Sequence, residues 1–238
     1  MIFKRRLIKA EDIKDVKVSW MWDPYVAFGK VTLLHGAKGV GKSMLAMRMM
    51  AACTNRKSFD DVSKYLEPVN VLYFTDEENL EGIVRPRLKQ AGADLSKVFI
   101  VNDENVITLA DDSVEEAIRE HDIKLLIIDP ISSYIEKSKT FVDDPMYSYP
   151  IIKKLSEIAE KTGCAILLVA ESPGFMSHQA KKWHFAFESD VVSYLCMEID
   201  DEKEYEERTL YHERSLIAME GWPIEFHLTA RRGLELNM

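Results

Sequence analysis

Gly36-Ala37-Lys38-Gly39-Val40-Gly41-Lys42-Ser43 fits the pattern G-x-x-x-x-G-K-[ST] at every fixed position. Residues 31–35 before it are an apolar run of strand length, and residues 42–53 after it are rich in Met, Leu and Ala and read as a helix. Strand, glycine-rich turn and helix N-terminus in that order make a phosphate-binding loop. Glycines let backbone N–H groups turn toward phosphate oxygens, and the helix N-terminus adds partial positive charge. Lys42 is spaced to reach the β- and γ-phosphates, and the Ser43 hydroxyl to bind Mg²⁺. The expected nucleotide contacts run from Gly36 through Met44, with ATP and Mg²⁺ as the expected ligands. Lys38 either adds charge near the phosphates or faces solvent.

Outward from the loop, apolar runs of strand length alternate with helical patterns, which predicts an α/β domain with a mostly parallel central sheet flanked by helices. Further strands are expected at residues 69–75, 98–101, 124–129 and 164–170. Helices are expected at 79–90, with Pro86 kinking it or marking a boundary, and at a segment ending at Glu120, capped by Asp111 or Asp112. Another should run from Pro150, at its first position, through Lys161, closed by Gly163. Beyond residue 190 the pattern changes. Residues 191–199, 209–214, 224–228 and 234–236 read as antiparallel strands joined by short turns, with the acidic run 200–207 as a solvated hairpin tip.

The chain has 238 residues, 47% of them hydrophobic, which suits one domain with an N-terminal arm over residues 1–19. No apolar run approaches the roughly 20 residues of a membrane span, and the first 17 residues lack the apolar core of a signal peptide. Cys53, Cys164 and Cys196 are far apart and form no C-x-x-C pair, so they read as buried free thiols rather than a zinc site or disulfide framework. A reducing cytoplasm follows as the expected compartment. The formal net charge of −9 gives no compositional support for nucleic-acid binding.

A second acidic element completes a phosphate site. Leu125-Leu126-Ile127-Ile128-Asp129 is an apolar strand ending in Asp, and strand C-termini of a parallel sheet face the ligand crevice. Asp129 is thus placed to hold Mg²⁺ through water. The strand ending at Thr75 runs into Asp76-Glu77-Glu78. Glu77 is the first candidate to activate water and Glu78 the second. Acids there would also suit the start of the following helix.

From Trp20 onward the chain resembles the RecA-like ATPases of the plasmid RepA and DnaB replicative-helicase type. The resemblance rests on Trp20-Met-Trp-Asp-Pro-Tyr, the phosphate loop, Val71-Leu-Tyr-Phe-Thr-Asp-Glu77-Glu, Arg85-Pro-Arg-Leu, Leu126-Ile-Ile-Asp129-Pro130 and residues 158–169. It implies Glu77 as the water-activating glutamate and a ring or filament assembly. A K-x-R pair on a late strand of that family reaches the neighbouring subunit's site. Here it reads His212-Glu213-Arg214, which implies Arg214 as an arginine finger, against the alternative of an exposed strand Arg paired with Glu213. Where the family has a polar His or Gln sensor, this chain has Glu171, a departure that bears on motor activity more than on nucleotide binding.

Loops after Asp129 and Ala170 would face the channel of such a ring. They carry Tyr134, Lys137, Lys139, Phe141, Tyr147 and Tyr149, and Lys181, Lys182, Trp183, His184, Phe185 and Phe187. Cations beside rings suit single-stranded DNA, but acids in the same loops offset the lysines, and rings bury equally well against the core. The leading expectation is a Mg²⁺-dependent ATPase acting on single-stranded DNA, with replication or recombination proteins as partners. The competing one is a regulatory nucleotide-binding protein with slow hydrolysis. A small-molecule kinase ranks lower, because no arginine-rich lid segment is present.

Overall fold

The computed structural model describes residues 9–13, 15, 17–55, 67–101, 109, 111–135, 145–171, 190–199, 207–229 and 233–236. The order of elements is β1 (Trp20–Trp22), β2 (Val26–Ala27), β3 (Val31–Gly36), α1 (Lys42–Thr54), β4 (Asn70–Thr75), α2 (Arg85–Ala91), β5 (Val98–Val101), α3 (Ser113–Glu120), β6 (Ile123–Asp129), α4 (Pro145–Thr162), β7 (Ala165–Glu171), β8 (Val191–Glu198), β9 (Glu207–Ser215), β10 (Ile224–Thr229) and β11 (Gly233–Leu236). Nine strands form one sheet in the order β11-β10-β9-β8-β3-β7-β6-β4-β5. β8, β3, β7, β6, β4 and β5 run parallel. β9, β10 and β11 extend that sheet antiparallel. The mixed sheet expected from the sequence is therefore present.

Period-2 alternation divides the core between the two faces of the sheet. Leu34, Tyr73, Leu125, Ile127, Leu167 and Leu195 pack on α1 and α2. Their neighbours Leu33, Leu72, Leu126, Ile128, Leu168 and Tyr194 pack on α3 and α4. Helix α1 is apolar nearly all round, with Leu45, Met47, Met49, Met50 and Cys53 buried, because it lies between the sheet, α2 and β11.

Local signals explain most element boundaries. Pro86 sits in the first turn of α2, and a π-helical turn over Leu80–Val84 precedes it. Asp111 rather than Asp112 supplies the side-chain cap of α3, accepting from the Ser113 N–H at 2.9 Å. Gly163 closes α4 by donating to the Ala159 carbonyl at 2.8 Å, at φ +72°. One helix boundary differs from expectation: α4 starts at Pro145, and Pro150 lies inside it. Pro145 takes the terminal place where a missing N–H costs nothing, and Pro150 forfeits a single bond one turn further in. The short β1–β2 hairpin was not anticipated. Glu207 belongs to β9 instead of a hairpin tip, and residues 200–206 lie outside the described residues. Among the described residues no helix is long and apolar enough to cross a membrane, and Cys53, Cys164 and Cys196 are buried free thiols.

Candidate nucleotide-binding site

The C-terminal ends of β3, β4, β6 and β7 meet at one cavity of about 570 Å³, a size typical of small-molecule sites. Lys38, Gly39, Gly41, Lys42, Ser43 and Met44 line it from the loop, while Asp76, Glu77, Asp129 and Glu171 line it from the strand ends. Gly36, Ala37 and Val40 shape the loop from behind. Gly36 has φ +152°, and a Cβ there would stand 2.3 Å from the Met197 carbonyl oxygen of β8. The close approach of β8 to the loop therefore demands glycine at this position.

Lys42 is buried and donates from Nζ to the carbonyls of Gly36 (2.9 Å) and Ala37 (2.8 Å). Desolvation lowers its pKa, with the carboxylates of Glu171 and Asp129 pulling the other way. The ammonium is thus satisfied by its own loop and stands ready for a stronger acceptor such as phosphate. Asp129 is buried beside it, and burial raises its pKa. Hydrogen bonds from Ser43 and Tyr73 and the charge of Lys42 oppose that rise. The Tyr73 hydroxyl lies 3.3 Å from Asp129 Oδ2.

The Ser43 hydroxyl and the Asp129 carboxylate line the same cavity, and Ser43 helps hold the Asp129 pKa down. An all-oxygen pair of this kind suits Mg²⁺, which takes few protein ligands and keeps several waters. Glu77 lines the cavity, and its Oε1 accepts the Asn79 N–H at 3.0 Å. One carboxylate therefore faces the cavity and also holds the following turn. Asp76 is engaged by the Ser133 hydroxyl at 2.5 Å. Glu171 lines the same cavity, at the end of the strand that pairs with the loop strand.

Arg214 does not line its own chain's cavity. Its guanidinium lies over the Tyr194 ring, 5.9 Å from the centroid. His212 is buried: Nδ1 accepts the Gly221 N–H at 2.8 Å, and Nε2 lies 3.0 Å from the Ser193 hydroxyl. It serves the inside of this chain. Tyr134 also turns inward, edge-on to Phe74 at 5.2 Å, with its hydroxyl 3.3 Å from the Val101 carbonyl. The other ring and lysine positions proposed for DNA lie outside the described residues or outside those whose side chains are described.

Arg208 is a participant that the sequence reading passed over. It is 1% exposed, and its Nε donates to the Val40 carbonyl at 2.9 Å. A buried guanidinium on β9 thereby grips the loop from beneath. Its signal was the alternation Arg208, Leu210, His212, which places it on the inward face beside a core leucine. The acidic residues around it had suggested solvent instead.

A mostly parallel sheet with a glycine-rich loop opening its first long helix, and acids at the neighbouring strand ends, defines the RecA-like P-loop ATPases. A family model described as AAA domain matches residues 7–173, and the chain belongs to that family. Among solved structures, a KaiC-like protein of the hyperthermophilic archaeon Pyrococcus horikoshii superposes with a TM-score of 0.65. The match covers 94% of this chain and 100% of that one at 17% identity, a likeness of fold. No curated protein matches the chain significantly.

Proposed function

We propose that this protein is a Mg²⁺-dependent ATP hydrolase that works as an assembly on single-stranded DNA. The observation that carries hydrolysis is the meeting of Lys42, Ser43, Asp129 and Glu77 on one cavity. Lys42 exchanges its loop carbonyls for phosphate oxygens, and Ser43 and Asp129 hold the ion. The bound Mg²⁺ neutralises charge on the phosphates. Glu77 accepts a proton from the attacking water, held in place by its bond to the Asn79 N–H. Arg214 does not line its own chain's cavity, which suits a residue acting on the next subunit's γ-phosphate. The RepA and DnaB resemblance supports the DNA role and replication or recombination proteins as partners.

Glu171 favours a second reading. A carboxylate on the cavity wall weakens the affinity for a polyanion, which fits a nucleotide-dependent regulator with slow turnover. ATP turnover by purified protein, with and without single-stranded DNA and with Lys42→Ala as blank, separates the two. DNA-stimulated turnover supports the motor. Nucleotide binding with turnover indifferent to DNA overturns it in favour of the regulator.

A further inference from the structure

A second constellation lies behind the nucleotide loop, on the opposite face of the sheet. Leu34, Leu195 and Met197 pack toward α1, so alternation turns His35 and Cys196 to the other side. The two are register partners on β3 and β8. Glu213, at an irregularity in the pairing of β8 with β9, joins them. His35 Nε2 lies 2.8 Å from Glu213 Oε2. The Cys196 thiol donates to Glu198 Oε1 at 3.5 Å. One donor atom from each of His35, Cys196 and Glu213 falls within 4.8 Å of the others. None of the three lines the nucleotide cavity.

We propose that His35, Cys196 and Glu213 bind a divalent transition-metal ion of the zinc class, with Glu198 beside them as the fourth ligand. The mixed set of imidazole, thiol and carboxylate selects zinc-like ions over Mg²⁺, which prefers oxygen alone. Zn–ligand bonds of about 2.0–2.3 Å place tetrahedral donors roughly 3.3–3.8 Å apart, so closure of the His35, Cys196 and Glu213 donors needs side-chain movements of only about 1 Å. Binding releases the Cys196 thiol proton to solvent, moves the proton of the His35 Nε2–Glu213 hydrogen bond to Nδ1 or to solvent, and replaces that hydrogen bond with two bonds to the ion. Two ligands are exposed to entry less than the third: His35 and Cys196 are 6% and 5% accessible, whereas the Glu213 side chain is 37% accessible. The ion therefore enters from the Glu213 side. His35 is bonded to Gly36 and Cys196 to Met197, whose carbonyl abuts Gly36, so the site adjoins the phosphate loop.

Titration of the nucleotide-free full chain with Co²⁺, followed by Zn²⁺ displacement, tests this. The expected result is one equivalent bound with a thiolate-to-cobalt charge-transfer band that Zn²⁺ removes. Cys196→Ser should abolish the band, while Cys53→Ser and Cys164→Ser should leave it. Glu213→Gln, at the exposed ligand, should weaken Co²⁺ binding by about 10-fold or more, and it serves as the deciding variant should Cys196→Ser fail to fold. Lys42→Ala should keep the band while losing ATP affinity, which separates this site from the nucleotide site. A folded wild type without the band, a band that survives Cys196→Ser, or unchanged affinity in Glu213→Gln each overturns the proposal.

Discussion

Lys42 owes its position to two carbonyls of its own loop, and those bonds must be exchanged when phosphate arrives. Removing the ammonium deletes a charge-assisted partner, so Lys42→Ala should weaken ATP binding by about 10- to 100-fold in calorimetry. Glu77→Gln keeps the shape of the side chain and an oxygen that can accept from the Asn79 N–H. Binding should persist while turnover falls by about 100-fold or more, and unchanged turnover would remove Glu77 from the mechanism. His212 gives a pH signature. Burial lowers its pKa below the ordinary 6.5, so near that value the unfolded chain takes up a proton that the folded chain refuses. The stability is complete above the unfolded value, falls as pH drops from 6.5 through the folded value, and is fully lost below it. Asp129, raised by burial, acts in the opposite sense, since its folded form binds the proton more readily. Comparing urea midpoints of wild type and His212→Gln between about pH 7.5 and 5.5 isolates the histidine, and the variant should show the shallower acid loss.

At the scale of elements, β3, the loop and α1 act as one unit braced from the C-terminal strands. Met197 on β8 approaches Gly36 from one side, and Arg208 on β9 holds Val40 from below. Gly36→Ala forces a methyl group against a backbone carbonyl, and a loss of about 1–3 kcal/mol in denaturant unfolding is expected, together with weaker ATP binding. Arg208→Ala leaves the Val40 carbonyl buried without this donor and opens a cavity. It should cost about 3 kcal/mol and weaken ATP binding although Arg208 does not itself line the cavity. The β1–β2 hairpin pins the opposite end: Tyr25 donates to the Trp222 carbonyl at 2.7 Å and accepts from the Ser193 hydroxyl at 2.7 Å. The His212 ring lies tilted beside Tyr25, 5.2 Å between centroids, so its titration reports on this junction between the N-terminal hairpin and the last strands.

At the scale of the whole molecule, the proposed assembly divides one active site between two chains. Glu77 lines the cavity of its own chain, and Arg214 does not. Glu77→Gln and Arg214→Ala should each be nearly inactive alone, the second by about 1000-fold. Mixed assemblies should recover turnover at junctions where an intact Glu77 cavity meets an intact Arg214. No recovery on mixing, measured as ATP turnover against subunit ratio, would place Arg214 outside the neighbour's site.

The sequence by itself determined the α/β class, the phosphate loop, the acid-ended strands and most element boundaries. These follow from local rules: strand alternation, a glycine motif in a fixed strand-to-helix setting, and turn and cap residues. Pro150 was misplaced because a second proline five residues earlier offered the same terminal role. Arg208 was hidden because a short charged run obscured the alternation that turns it inward. The direction of Tyr134 stayed open and that of His212 unread, because motif position and loop composition carry no information about which way a side chain turns. Only the tertiary structure decided those orientations, since they depend on strands far apart in the chain. The same holds for His35, Cys196 and Glu213. No linear spacing marks them, yet three neighbouring strands bring them together, because pairing registers in a sheet are set across the chain and not along it.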